Sequence, residues 1–127
     1  MKAFAALFAQ LDVSTKTSVK VTALADYFRT APDSDKLWTT ALFTGRRPKR
    51  VITAAKLRLW AAEVAGLPDW LFEESYSIVG DLAETIALVL PPPRATSDAS
   101  LTDWIIHLRA LGMQDDDARK AGIIAAW

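Results

Sequence analysis

Apolar residues recur along this chain at intervals of three and four, in stretches cut short by proline, glycine or a small polar residue. That is the pattern of a string of short helices. Phe4, Leu7, Phe8 and Leu11 fall at i, i+3, i+4 and i+7 and predict a first helix with one buried face. Ser14 or Thr15 can cap a second, with Val21, Leu24, Ala25 and Phe28 inward and Pro32 as its stop. Ser34 is the expected cap of a third helix, whose Leu37, Trp38, Ala41 and Leu42 share a face, and Gly45 stands where a left-handed C-terminal cap would be. Thr53 can cap a fourth, with Leu57, Trp60, Ala61 and Val64 inward and Gly66 at its end.

The later part of the chain reads the same way. Pro68 opens a fifth helix at a position where proline is tolerated; Leu71, Phe72, Tyr76, Ile78 and Val79 supply its apolar surface, and Gly80 closes it. Asp81 caps a sixth, Leu82 to Leu90, with Leu82, Ile86, Val89 and Leu90 inward and Ala83 and Ala87 as small fillers. Pro91-Pro92-Pro93 and the polar stretch Arg94 to Ser100 form the one linker-like segment, near 91–100. Ser100 and Asp103 match a capping box for a seventh helix carrying Trp104, Ile105, Leu108 and Leu111, stopped by Gly112. Asp115, Asp116 and Asp117 gather at the positive end of an eighth, which carries Ala121, Ile123, Ile124 and Trp127. No window alternates strictly, and Val51-Ile52-Thr53 is too brief for a strand. The expected fold is therefore all-α, a single compact domain of about eight helices over residues 1–127. No capping residue follows Trp127, so the sequence reads as cut at its C-terminal end, with Ile123, Ile124 and Trp127 left partly uncovered.

Charge changes this picture more than composition does. With 15 basic and 15 acidic residues the net charge is zero, yet the two signs are separated along the chain. Lys36, Arg46, Arg47, Lys49, Arg50, Lys56 and Arg58 lie between residues 36 and 62 with no acid among them; Glu63, Asp69, Glu73, Glu74, Asp81 and Glu84 follow with no base before residue 94. The centre of the first window, Gly45-Arg46-Arg47-Pro48-Lys49-Arg50, can hold a polyanion while the whole chain stays neutral, although a merely solvated basic loop would have the same composition. Pro48 stiffens it and biases Arg47 toward extended geometry. Lys16 and Lys20, four apart near the start of the second helix, form a smaller basic spot whose simpler reading is a pair of solvated lysines.

The sequence contains no cysteine, hence no disulfide or thiolate chemistry, which fits a reducing compartment. Gln10 and Asp12 interrupt the apolar start too early for a signal peptide, and no run is long enough to cross a membrane; a cytoplasmic location is expected. The lone histidine, His107, has no nucleophile or metal-ligand partner nearby in sequence, and three adjacent aspartates at a helix start diverge rather than converge on a metal. Glu73 and Glu74 diverge by about 100° on a helix and cannot flank a substrate. No catalytic residue and no metal ligand is identified. What remains is binding, through the basic loop and through helix N-termini that offer amides to phosphate oxygens.

Three segments carry a family resemblance: Asp12-Val13-Ser14-Thr15-Lys16-Thr17, Leu42-Phe43-Thr44-Gly45-Arg46-Arg47-Pro48-Lys49-Arg50, and Trp70 through Thr85 with its Gly80-Asp81-Leu82-Ala83-Glu84-Thr85 core. With the Leu101-Thr102-Asp103-Trp104 helix and the Ala118 to Trp127 end, the chain resembles the N-terminal DNA-binding domain of bacterial ATP-dependent DNA ligases. The resemblance implies a helical arm that grips nicked duplex DNA by its backbone and minor groove without base specificity, in the service of repair, replication and recombination, in the bacterial cytoplasm near the nucleoid. By the same resemblance the DNA contacts fall on Arg46, Arg47, Lys49 and Arg50, with Gly80 and Asp81 marking a helix start near a phosphate. Lys16, Lys20 and Lys56 are candidate contacts from the charge pattern. ATP and a divalent metal are implied only for a full-length enzyme, whose nucleotidyltransferase domain carries a Lys-x-Asp-Gly motif and is followed by an oligonucleotide-binding barrel. No lysine here has that context, so the chain alone is not expected to form an adenylate. The rival reading is a helical protein-interaction domain whose basic window docks an acidic partner.

Overall fold

A computed structural model describes residues 1–93 and 95–126. Among them the chain forms eight α-helices and no strand: α1 (Lys2–Val13), α2 (Thr17–Thr30), α3 (Asp33–Phe43), α4 (Ala54–Ala65), α5 (Asp69–Val79), α6 (Leu82–Val89), α7 (Leu101–Leu111) and α8 (Asp116–Ala126). The all-α expectation and the number of helices hold. The helices group into two compact units, one made of Met1–Lys49 with Ser97–His107, the other of Arg50–Thr96 with the chain from Leu108 onward.

In the first unit, Leu7 of α1 and Tyr27 and Ala31 at the end of α2 are buried, with Phe4, Leu11, Ala23, Leu24 and Phe28 packed against them. Each such large side chain taken out of water contributes about 1.5–3 kcal/mol. α2 is turned by about one position from the expected face: Val21 and Ala25 are exposed and Tyr27 is buried. The reason is polar. The buried Thr39 hydroxyl donates to the Tyr27 hydroxyl at 3.0 Å, so α2 presents its tyrosine to α3.

The same polar logic turns α3. Leu37, expected inward, is 71 % exposed, and the buried positions are Thr39 and Asp35. The Asp35 carboxylate accepts hydrogen bonds from the Leu101 amide (3.1 Å), the Thr102 amide (2.9 Å) and the Thr102 hydroxyl (2.6 Å). It therefore fills the free N-terminal end of α7 from a distance of 66 residues. Burial alone would raise the Asp35 carboxyl, but these bonds outweigh it and hold the group below the ordinary carboxylate range. Ser100 and Asp103 close the capping box as expected, with the Ser100 amide on Asp103 at 2.9 Å and the Asp103 amide on Ser100 at 3.1 Å.

Two expected caps are not formed. Lys16, not Ser14 or Thr15, occupies the N-cap of α2, and Ser14 instead accepts from the Lys16 amide two residues on. α3 begins one residue before Ser34, at Asp33, with Pro32 at its N-cap. Pro68 likewise sits at the N-cap of α5 rather than inside its first turn.

The second unit has two clusters. Ala61 and Ala62 of α4, Phe72 of α5 and Ile86 of α6 form one, with Leu57, Tyr76, Leu82, Val89 and Leu90 around them. Trp60, Leu111 and Ile123 form the other, joined by Val51, Ile52, Leu108 and Ile124. Ile123 is thus buried, contrary to the expectation that the end of α8 lies uncovered; Trp127 and Arg94 lie outside the described residues. Val64, Ile78, Ala83 and Ala87, expected inward, face solvent. Thr85 takes a fully buried place on α6, its hydroxyl donating to the Asp81 carbonyl at 2.6 Å. The expected caps Thr53 and Asp81 accept from Lys56 (3.3 Å) and Glu84 (2.8 Å) amides.

Candidate nucleic-acid interface

The basic loop is anchored at each end within a different unit. Upstream, α3 finishes in a Schellman motif: the Arg46 amide donates to the Ala41 carbonyl at 2.8 Å and the Gly45 amide to Leu42 at 3.2 Å. This closure needs a left-handed residue, and Gly45 has φ +82°. Phe43, the last helical residue, lies against the Phe4 ring with centroids 6.0 Å apart. Downstream, Val51 and Ile52 pack on the Trp60, Leu111 and Ile123 cluster, and Val51 sits so close to Gly112 that a Cβ there would lie 3.0 Å from it. The short apolar pair too brief for a strand is thus the loop's second anchor. Nothing in a hydropathy pattern marks it, because most of its partners, Leu111, Gly112 and Ile123, lie far along the chain.

Between the anchors, Arg46, Arg47, Lys49 and Arg50 are exposed and Pro48 is half-buried. Among the described residues none of these four cations forms an ion pair. The other three bases of the window are different. Lys36 bonds Asp33 at 2.9 Å, Lys56 bonds Asp116, and Arg58 bonds Glu73 at 3.1 Å while lying over the Tyr76 ring at 5.8 Å. The hydrogen bond from Lys56 holds the Asp116 carboxyl below its usual range, with the charges of Lys56 and Arg119 acting the same way. The hydrogen bond from Lys36 does the same to Asp33.

Lys16 is the N-cap residue of α2 and Lys20 lies in its first turn; this N-terminus has no side-chain cap and no acidic residue in its first turn. Gly80 is the left-handed C-cap of α5, with φ +81°, and passes the chain to Asp81, whose carboxylate already occupies a free amide of α6. Arg46, Arg47, Lys49, Lys16 and Lys20 belong to the first unit, and Arg50, Lys56 and Gly80 to the second.

Two of the three aspartates at the start of α8 are engaged within the chain. Asp115 accepts from the Ala118 amide at 2.9 Å, and Asp116 is held by Lys56 and by Arg119 at 3.1 Å. Arg119 in turn donates to the carbonyls of Leu111 (3.2 Å) and Gln114 (2.7 Å), closing the α7–α8 turn. Among the described residues no group of histidine and carboxylates has a metal-holding arrangement. His107 is exposed and lies edge-on to Trp104 at 5.7 Å. No helix of the described residues is long and apolar enough to cross a membrane.

Among the described residues Lys16, Lys20 and Arg109 also lack an ion pair, but the one run of such cations is Arg46, Arg47, Lys49 and Arg50 in this loop, a charge pattern that can hold a polyanion. The family is established by sequence: residues 1–125 match the model of the DNA ligase N terminus, and the chain belongs to that family, the N-terminal domain of ATP-dependent DNA ligases. No curated protein and no solved structure matches the chain.

Proposed function

We propose that this chain binds duplex DNA without sequence preference and serves a DNA ligase as an arm that holds nicked DNA for sealing in repair, replication and recombination. The observation that carries the reading is the partition of the basic window. Three of its seven cations are spent on ion pairs, and the four that are not stand together between two anchors. Arg46, Arg47, Lys49 and Arg50 would each take a backbone phosphate. Arg guanidinium groups grip phosphate through paired donors, and a loop stiffened by Pro48 loses little entropy on binding. Lys16 and Lys20, beside the uncapped amides of α2, are secondary contacts of the same kind. Lys56 in this reading supports α8 through Asp116, and Gly80 shapes the α5–α6 joint.

Covalent chemistry lies with the nucleotidyltransferase and oligonucleotide-binding domains of a full-length ligase, where ATP and a divalent metal act. This chain lacks the Lys-x-Asp-Gly motif that would carry AMP.

The test is fluorescence polarisation with several duplexes of unrelated sequence, nicked and intact. Comparable binding to all, with Kd on the order of 10⁻⁴–10⁻⁶ M near physiological salt, is expected. Absence of duplex binding, with capture of an acidic protein instead, would replace the DNA reading by the protein-docking one. Binding confined to one sequence would replace a backbone grip by base readout.

A further inference from the structure

Trp70 lies on the outward side of α5, 67 % exposed and opposite the buried Phe72 and half-buried Val79. Helical spacing sets Glu73, Glu74 and Ser77 around it at i+3, i+4 and i+7, Asp69 precedes it, and Ile78, 84 % exposed, continues the stripe. Trp70 belongs to neither core cluster of its unit, and its exposed face gains most when a partner covers it.

The surroundings define the partner's chemistry. Glu73 already holds Arg58, but Asp69 and Glu74 have no ion-pair partner among the described residues. These carboxylates repel nucleic acid, so the surface is separate from the DNA contact. An indole ring ringed by carboxylates suits an arginine- or lysine-rich segment, the guanidinium lying on the ring and the carboxylates neutralising its charge. Among the described residues the run of unpaired cations of that kind is Arg46 to Arg50.

We propose that the outward face of α5 docks the Gly45–Arg50 segment of a second copy of this chain. The contact is heterologous, loop of one copy on α5 of the next. A six-residue loop on one helix face falls below about 1,200 Å², in the class of weak, transient encounters, and its charge makes it salt-dependent. Self-association occupies the loop and DNA releases it; this last consequence rests on the reading of the loop as the DNA contact, whereas the association itself does not.

Sedimentation velocity on the intact chain at about 50 mM salt should show a reversible, concentration-dependent complex that disappears near about 0.5 M. Trp70→Ala/Glu74→Lys loses the face and Arg46→Ala/Arg47→Ala loses the loop. Each variant alone should associate at least about tenfold more weakly. Mixed in equal amounts they should form a one-to-one complex, because one brings an intact loop and the other an intact face. Wild-type protein that sediments as a monomer at low salt, or a mixture that does no better than its components, overturns the proposal. Trp70→Ala/Glu74→Lys keeps its duplex binding. A mixture that associates while no variant binds duplex supports the docking and overturns the DNA reading alone.

Discussion

The loop between α3 and α4 and the outer surfaces of α4 and α8 carry the same kind of residue to opposite ends. On the helices, Lys56, Arg58, Arg119 and Lys120 are each matched by a carboxylate: Asp116, Glu73, Asp116 and Glu63. In the loop, Arg46, Arg47, Lys49 and Arg50 have no such match among the described residues. A cation already engaged by a neighbouring carboxylate has little left to offer a phosphate, while a cation held exposed by a closed loop keeps its full field. The partners that tie Lys56 and Arg58 lie 60 and 15 residues away, so a window of basic residues counts charge without saying what that charge is for.

The contrast breaks first where tied charge is removed. Asp35→Ala should cost about 2–3 kcal/mol, since it strips two amides and a hydroxyl of α7 of their buried acceptor. Thermal melts read the loss, and a variant that melts like the parent would mean that α7 does not depend on Asp35. Acid offers a milder route to the same bond. The folded Asp35 carboxyl lies below its ordinary value, so its stabilisation is complete above about pH 4 and is lost as pH falls through the folded-state pKa. Asp35→Asn should flatten the fall in melting temperature between neutral pH and pH about 3; an unchanged acid profile would place the acid sensitivity elsewhere.

Arg119→Ala comes next, at about 1–3 kcal/mol, because it removes the bonds that Arg119 donates to the Leu111 and Gln114 carbonyls and to Asp116. Arg46→Ala/Arg47→Ala, which removes twice as many arginines, should leave the melt within about 0.5 kcal/mol of the parent. Reversal of that order would dissolve the distinction between tied and untied arginines. Gly45→Val should cost about 1–2 kcal/mol from its left-handed backbone alone, since no atom lies within 4 Å of where its Cβ would be. Hydrogen exchange should localise the loss to the end of α3, and equal protection of the Arg46 amide in both proteins would argue against the Schellman closure.

Much of the fold was legible because its signals are local. Thr53, Asp81 and the Ser100–Asp103 box cap the helices they precede, and Gly45, Gly66 and Gly80 end the helices they follow. Those signals span three or four residues, the reach of a sequence pattern. What could not be read depends on distant partners. α3 shows Leu37 to solvent because Asp35 is wanted by an amide pair 66 residues away, and α2 turns Tyr27 inward because Thr39 is there to bond it. The candidate site divides the same way. Its four loop cations stand out in the sequence, whereas the withdrawal of Lys56 to Asp116 and the anchoring of the loop by Val51 and Ile52 exist only in the folded chain.

The central claim, that the loop's untied cations and not basic residues in general hold duplex DNA, is tested most directly by salt dependence at constant net charge. Arg46→Ala/Arg47→Ala and Lys56→Ala/Lys120→Ala each remove two positive charges, one pair untied and one pair tied. The logarithm of duplex affinity should fall linearly with the logarithm of salt for all three proteins. The loop variant should flatten that slope by about two units, at about 0.9 per phosphate released, while the helical variant keeps the slope of the parent. Equal slopes for the two variants, or a flatter line for the helical one, would contradict the account.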